Sequence, residues 1–516
     1  MEETINRKKT GKVYIVGAGP GDPGLITVKG VSCIKEADVI IYDHLAPVEL
    51  LEFAQEAAEL IYAGKQGGAH TLSQDDINDL LVRKAKAGYV VVRLKGGDPF
   101  IFGRGGEEAR VLATAGIPFE IVPGVTSAIA APAYAGIPIT HRRYNSTIAF
   151  IAGHEDPTKE GCSINWSKIA TGVGTLIFLM GVKNLPYITN RLIDGGRDPD
   201  TPVAVIRWAS TPKQITVTGT LKDIVRRSQE AGIGPPAVIV VGEVVSLRKE
   251  LNWFESRPLF GKTVIVTRTR EQASELTGRL KGLGAECVEF PTIKLVPTTD
   301  WSLLDRAIDT ISSYDWLIFT SVNGVRLFFQ RLYEKGKDVR ALNSLLLGAI
   351  GSATSESLAR YGIRVDTIPE TYRAEGIVDA LAKEPIKGKR FLLPRAKDAR
   401  SVLPQKLREM GALVDEIPIY HTEVVREKTD DLKRRLKEGT IDLLTFTSSS
   451  TVRNFRALFS QEEFESLCTG PIVACIGPIT AETAKDLGLQ VHIVPEIYTI
   501  PALCDSIERY FNAQKC

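Results

Sequence analysis

Long apolar runs are missing from this 516-residue chain, and none reaches the roughly 20 residues that a membrane-spanning helix needs. The opening stretch, Met1 to Lys12, is polar and carries no apolar signal core. A soluble, cytoplasmic protein is therefore expected. Charge of one sign is lacking as well: 64 Lys and Arg face 62 Asp and Glu, leaving +2. No global field marks nucleic acid or a membrane as partner, and neither is expected. Cysteine pairs are absent too. Seven cysteines (Cys33, Cys162, Cys287, Cys468, Cys475, Cys504, Cys516) form no Cys-x-x-Cys, which suggests free thiols in a reducing compartment. Six histidines make no His-x-x-x-His pair, so no metal site is expected from spacing.

What is present is an α/β pattern in a chain long enough for about two to four domains. Between Lys12 and Gly242, short β-branched runs alternate with helical stretches. The strands expected are Val13–Val16, Val39–Tyr42, Leu60–Ala63, Val90–Leu94, Phe119–Val122, Ile148–Ala152, Leu176–Met180, Val203–Ile206 and Val238–Val241. Several are continuously apolar, as in strands covered on both faces of a largely parallel sheet. A helix is expected over Gln74–Ala87, opened by a Ser73/Asp76 capping box and closed at Gly88. The phrase Val122-Pro-Gly-Val-Thr-Ser-Ala marks a break between two lobes.

The first domain is expected over 1–250, a linker over 251–260 and a second domain over 261–516. The second half repeats itself. Gly261-Lys-Thr-Val-Ile-Val-Thr-Arg matches Gly388-Lys-Arg-Phe-Leu-Leu-Pro-Arg, and Phe319-Thr-Ser matches Phe446-Thr-Ser, both at an offset of 127. Ile350-Gly-Ser-Ala-Thr matches Ile476-Gly-Pro-Ile-Thr at 126. Three matches in one register imply two similar α/β lobes with a cleft between them. The period is too long for a solenoid.

Val16-Gly-Ala-Gly-Pro-Gly-Asp-Pro-Gly24 follows a strand and invites a dinucleotide-binding reading. Asp22 stands where that fingerprint needs Gly or Ala, and Pro20 removes a backbone donor from the pyrophosphate cradle. A structural glycine turn is the plainer alternative. A second loop, Val92-Arg-Leu-Lys-Gly-Gly-Asp-Pro-Phe-Ile-Phe-Gly-Arg-Gly-Gly-Glu-Glu108, lies at the C-terminal end of a strand. Open parallel sheets bind ligands at that edge. Its glycines allow close backbone approach, and Arg93, Lys95 and Arg104 supply positive charge.

Together these motifs resemble the tetrapyrrole methylase family, and within it the uroporphyrinogen-III C-methyltransferases, over about residues 12–254. The resemblance extends to Tyr42-Asp43-His44-Leu45, Gly64-Lys65, Ala133-Tyr-Ala-Gly-Ile-Pro-Ile-Thr-His141, Phe178-Leu-Met-Gly181 and Ala237–Val245. It implies S-adenosyl-L-methionine as cofactor, with contacts at Pro20, Gly96, Gly97, Asp98, Ile101, Thr126, Ser127 and Met180, and at Ala209. Asp43 matches the family's proton acceptor and Lys65 its proton donor. The chemistry calls for such groups, because a proton must leave the ring system after a pyrrolic carbon takes the methyl. Read without the family, Asp43 is equally a cap at a strand end, Lys65 a surface ammonium and Met180 core filler. The family's substrate is a polycarboxylate, for which Arg93, Arg104, His141, Arg142 and Arg143 are candidate partners. A homodimer through the methyltransferase half is expected.

The second half holds no nucleophile–base pair, metal cluster or P-loop. It repeats Thr-Ser after a strand (Thr320, Ser321; Thr447, Ser448) and Gly-x-x-Thr before a helix (Gly351, Thr354; Gly477, Thr480). Hydroxyls and free amides at helix N-termini suit a polycarboxylate gripped from two lobes; each is also an ordinary N-cap. Val266-Thr-Arg268, Ile318-Phe-Thr-Ser-Val-Asn-Gly324, Ala349-Ile-Gly351, Pro418-Ile-Tyr-His-Thr422 and Cys475-Ile-Gly-Pro478 resemble the uroporphyrinogen-III synthase family, over about residues 261–511. The resemblance implies closure of hydroxymethylbilane with inversion of ring D, and gives Tyr420 the role of assisting departure of the hydroxyl. Arg268 joins the candidate substrate contacts. Two proline-containing extended stretches, Phe290-Pro-Thr-Ile and Ile417-Pro-Ile-Tyr, suit crossings between lobes. One lobe would then comprise 261–296 with 424–512, and the other 299–421. The expected protein is a bifunctional enzyme making precorrin-2 for sirohaem or cobalamin-type pathways, with no segment left for a dehydrogenase–chelatase domain. The alternatives are a methyltransferase of a later corrin precursor, and a second half that binds tetrapyrrole without catalysis.

Overall fold

The computed structural model describes residues 11–64, 72–153, 164–267, 270–290, 293–369, 374–381, 385–397, 399, 401–424 and 429–514. The first sheet contains β1 (Val13–Gly17), β2 (Val39–Tyr42), β3 (Glu59–Tyr62), β4 (Val91–Lys95) and β5 (Phe119–Val122), in the order β3-β2-β4-β1-β5. All its pairings are parallel, so the loops leaving β1, β2, β4 and β5 share one edge. Val13, Ile15, Val39, Ile41 and Val91 are buried on one face, and Val16, Ile40, Val92 and Leu94 on the other. This two-sided burial explains the continuous apolar runs. The expected capping box forms: Ser73 and Asp76 exchange bonds at the head of helix Gln74–Lys86.

The second sheet is mixed. It contains β6 (Ile148–Ala152), β7 (Thr175–Leu179), β8 (Pro202–Arg207), β9 (Ile215–Thr220) and β10 (Ala237–Val241), ordered β6-β7-β10-β8-β9. Only β6 and β7 run parallel there. β9 is an addition to the expected strands; its polar ITVTGT sequence is half-covered at a sheet edge. The segment 251–260, expected as a linker, is packed. Phe254 and Leu259 are buried, the Phe254 ring lies 4.8 Å from that of Tyr134, and the Glu255 carboxylate accepts from Gln214 and Thr216 and pairs with Arg248.

The remainder begins with β11 (Thr263–Val266) and β12 (Glu286–Glu289). It continues through β13 (Ile293–Pro297), β14 (Trp316–Phe319), β15 (Leu346–Ala349), β16 (Arg390–Ala396) and β17 (Leu413–Val424), and ends with β18 (Leu443–Phe446) and β19 (Ile472–Cys475). They form two sheets, β12-β11-β18-β19 and β13-β17-β16-β14-β15. The sequence repeat equates β11 with β16, β14 with β18 and β15 with β19. Each sheet therefore takes its first repeat strand from one copy and its other two from the second copy. The chain crosses twice between lobes, and the lobes do not follow one another. Thr267 Oγ1 donates to the Thr445 carbonyl and Thr445 Oγ1 to the Ile265 carbonyl, tying the two copies together in one sheet. β13 runs antiparallel to the end of β17, Pro297 opposite Tyr420 and Ile293 opposite Val424, so β13 belongs with the second sheet. Pro418 sits beside a register shift between Arg395 and Ala396, where a missing donor is tolerated.

By contact density the chain gathers into two compact units, Met1–Val264 with Thr277–Val288 and Cys504–Cys516, and Ile265–Leu276 with Glu289–Leu503. Among the described residues no helix is long and apolar enough to cross a membrane.

Candidate functional site

Two glycine loops clasp each other at the C-terminal edge of the first sheet. Gly19 N donates to the Gly97 carbonyl at 3.2 Å and Gly97 N to the Gly19 carbonyl at 2.7 Å. Gly97 has φ +69°, which glycine alone adopts without strain. A methyl on Gly17 or Gly124 would meet backbone atoms of the other loops at 2.4–2.8 Å, so the chain approaches as closely as glycine permits. Asp98 organises the loop: Oδ1 accepts from the Phe100 and Ile101 amides and Oδ2 from the Gly124 amide, at 2.8–3.0 Å. Both its oxygens are engaged in holding the loops. Thr126 caps helix Ser127–Tyr134, and the open side of Gly97 faces Thr126 and Ser127.

The loop after β8 closes on the same place. Gly21, next to Pro20, packs on Ala209, Ser210 and Thr211, and Ser210 Oγ accepts from the Asp22 amide at 3.1 Å. Asp22 Oδ2 accepts from the Tyr134 hydroxyl at 2.7 Å; burial, then this bond, raise that phenol's pKa. Asp22, which spoils the dinucleotide fingerprint, thus fastens the first loop to the second lobe. Met180 is half exposed just beyond β7. Among the described residues five non-glycines have positive φ: Phe102, Arg104, Met180, Trp208 and Ser210. All lie in these loops, and such strain concentrates at functional sites.

Asp43 follows β2. Its Oδ1 accepts from the amides of Leu45 and Ala46 at 3.1 Å and of Gly96 at 3.3 Å. It is therefore a turn cap and a bridge to the cofactor loop at once. Arg93, a candidate substrate contact, is turned into the protein. The side chain is buried, with Nε on Glu108, Nη1 on the Ile41 and Leu94 carbonyls, and Nη2 at 3.6 Å from Asp43 Oδ2. Glu108 and Lys95 complete this cluster, Lys95 Nζ donating to Glu108 at 2.8 Å. Glu108 escaped sequence reasoning, yet a signal existed. Arg93 and Lys95 share one face of a strand buried on both sides, and buried cations require an anion. Trp208 also went unnoticed; its ring lies 6.0 Å from that of His44. Arg104 is exposed and forks onto Glu107 at 2.7 and 2.9 Å. His141 is half-buried and accepts from the Arg143 amide through Nδ1. Arg142 and Arg143 are exposed. Lys65 and Arg268 lie outside the described residues.

In the second half Tyr420 is buried on β17, and its hydroxyl meets Ser321 Oγ at 2.8 Å. Burial raises its pKa, opposed by Ser321 and by the nearby Arg395, so the phenol stays protonated at neutral pH. Ser321 also caps helix Val322–Glu334, and Ser448 caps Ser449–Arg456 in the matching place. Gly351 and Gly477 head helices Ser352–Ala359 and Pro478–Asp486. Thr354 and Thr480 are buried, and Thr354 Oγ1 donates to the Ile350 carbonyl. Thr320 and Thr447 are half-buried.

Family models match two successive parts of the chain: Tetrapyrrole (Corrin/Porphyrin) Methylases over residues 12–225, and Uroporphyrinogen-III synthase HemD over 274–505. A "Porphyrin biosynthesis protein HemD" of Ruminiclostridium josui is 39% identical over 499 residues, 96% of this chain and 97% of its own. The chain belongs to the family of fused tetrapyrrole methylases and uroporphyrinogen-III synthases. A "Uroporphyrinogen-III C-methyltransferase" of Priestia megaterium is 56% identical over 236 residues, 46% of this chain and 99% of its own. An "S-adenosyl-L-methionine-dependent uroporphyrinogen III methyltransferase" of Methanosarcina barkeri is 52% identical over 237 residues, 46% of this chain and 93% of its own. The fused chain is thus a bifunctional enzyme of tetrapyrrole biosynthesis, with a methyltransferase and a synthase part.

Proposed function

We propose that the chain converts hydroxymethylbilane to uroporphyrinogen III and methylates that product twice to precorrin-2, which feeds sirohaem or cobalamin-type pathways. The observation that carries this reading is the Asp43 carboxylate bonded to the Gly96 amide, one residue from the clasped glycine. It puts a proton acceptor beside the loop expected to hold the cofactor. The residues there fit S-adenosyl-L-methionine: close-packed glycine backbone at 17, 97 and 124, the Thr126 cap and the exposed side chains of Ile101 and Met180. When bound, that cofactor supplies an electrophilic methyl group. Pro20, Gly96, Gly97, Ser127 and Ala209 shape the pocket around it. Asp43 Oδ1 is occupied by three amides, so Oδ2 takes the proton that the ring carbon loses after methylation. Lys65 is the donor in the same reading.

In the second half, the protonated Tyr420 donates to the departing hydroxyl of the linear substrate. Ser321, 2.8 Å away, fixes the phenol's direction. The capped helix ends at Ser321, Gly351, Ser448 and Gly477 offer amides to carboxylates. Incubation of the full chain with uroporphyrinogen III and S-adenosyl-L-methionine tests the methylation. The product gains two methyl groups with two equivalents of S-adenosylhomocysteine released; unmodified macrocycle would defeat the reading.

A further inference from the structure

Four charged side chains meet behind the β2 and β4 loops, and the proposed reaction uses only Asp43. Glu108 is fully buried in the first turn of helix Gly105–Thr114. Its Oε1 accepts from Lys95 Nζ at 2.8 Å, Arg93 Nε at 3.1 Å and Gln74 Nε2 at 3.2 Å. The Arg93 guanidinium is thereby held on two further sides, by Glu108 at Nε and by two carbonyls at Nη1. It cannot turn, and Nη2 is left aimed at Asp43 Oδ2, 3.6 Å away. Asp43 in turn holds the Gly96 amide. The result is one connected path from the helix to the cofactor loop. A buried cluster of this kind adds little stability over apolar packing, because desolvation of each ion offsets most of the attraction. What it supplies is fixed geometry.

We propose that Glu108 is a positioning residue of the methyl-transfer site: by locking Arg93 it sets the place of Asp43 Oδ2 relative to the cofactor loop. Lys95 balances the charge of the cluster. Burial and the neighbouring Arg93 draw its ammonium below the usual range, and Glu108 opposes both. The proposal rests on Asp43 as proton acceptor.

Glu108→Gln in the full chain keeps the shape and one acceptor oxygen but removes the charge. Steady-state methylation of uroporphyrinogen III gives kcat and KM, and calorimetry gives the affinity for S-adenosylhomocysteine. We expect kcat to fall about 10- to 100-fold, as misplacement of a catalytic group by a fraction of an ångström does. KM and cofactor affinity stay within about threefold. In an Asp43→Asn background the same change lowers kcat by less than about threefold, because residues acting on one step are not additive. Equal factors in both backgrounds overturn the proposal, as does wild-type kcat in Glu108→Gln while Asp43→Asn is slow. Wild-type turnover in Asp43→Asn overturns the proton-acceptor reading and the proposal with it. Arg93→Gln, which keeps the Lys95–Glu108 pair, passes through the same cycle with the same criteria should Glu108→Gln fail to fold.

Discussion

Adding one methyl group at Gly124 is the sharpest steric test of the cofactor cradle. Its φ is not positive, so alanine meets no backbone penalty there and the whole effect is one of space. The new Cβ would stand 2.4 Å from the Gly97 carbonyl oxygen and 2.7 Å from Gly17 Cα. Both neighbours are backbone, and neither can rotate away. Relief to an ordinary contact of about 3.4 Å requires the clasped loops to part by about 1 Å. Overpacking of this size costs about 1–3 kcal/mol, and each kcal/mol lowers Tm by about 2–4 °C in a domain of this size. A shift of about 1 Å in a reacting geometry costs about 100-fold in rate. Gly124→Ala should therefore lower the methyltransferase melting transition by several degrees. It should weaken S-adenosylhomocysteine binding in calorimetry by at least about tenfold, and leave synthase turnover unchanged. Gly172→Ala, where the added methyl meets nothing within 4 Å, is the control. Wild-type affinity and melting in Gly124→Ala would refute the view that these three loops form one close-packed cradle.

Other parts of the chain give independent checks. Tyr420→Phe removes the buried phenol's proton and should slow hydroxymethylbilane cyclisation about 100-fold or more; Ser321→Ala should slow it less, and unchanged rates in both would remove Tyr420 from the mechanism. Asp305 is held below the usual carboxylate range by the Arg331 guanidinium, at 2.7 Å on both oxygens. Its stabilisation is complete above the unfolded value of about 3.9 and is lost as pH falls through its lower folded value. Asp305→Asn should accordingly lower Tm at pH 7 by an amount that shrinks as pH falls below about 3.9, and a pH-independent gap would contradict this. Burial pushes the Cys468 and Cys475 thiols up to about 12, so iodoacetamide at pH 8 should leave both unmodified until guanidinium unfolds the chain, as peptide mapping will read.

Legibility from sequence followed burial. β1, β2 and β4 are covered on both faces, so their apolar runs announced them, whereas β9 alternates threonine at an exposed edge and was invisible to that criterion. The mixed direction of the second sheet was equally hidden, because strand order depends on contacts remote in sequence. Repeated motifs foretold the exchange of strands between lobes; of the two proline stretches read as crossings, Ile417-Pro-Ile-Tyr lies inside β17 instead, and Pro291 and Thr292 of the other lie outside the described residues. The placing of β13 was legible only from its register with β17. At the site, glycine spacing identified the clasping loops, but the partners of the polar side chains stayed hidden. Arg93 bonds Glu108 and the Thr354 hydroxyl bonds the Ile350 carbonyl, partners that spacing along the chain does not reveal. A side chain's type states what it can bond; the partner that takes it is decided by packing.

The central claim is that one chain performs both chemistries in sequence. Purified full-length protein should be given hydroxymethylbilane, first alone and then with S-adenosyl-L-methionine, and the products resolved by isomer and mass. The account predicts the type III macrocycle in the first case and its dimethylated product, precorrin-2, in the second. Formation of the type I isomer alone, as in spontaneous closure, or a type III product that gains no methyl groups, would contradict it.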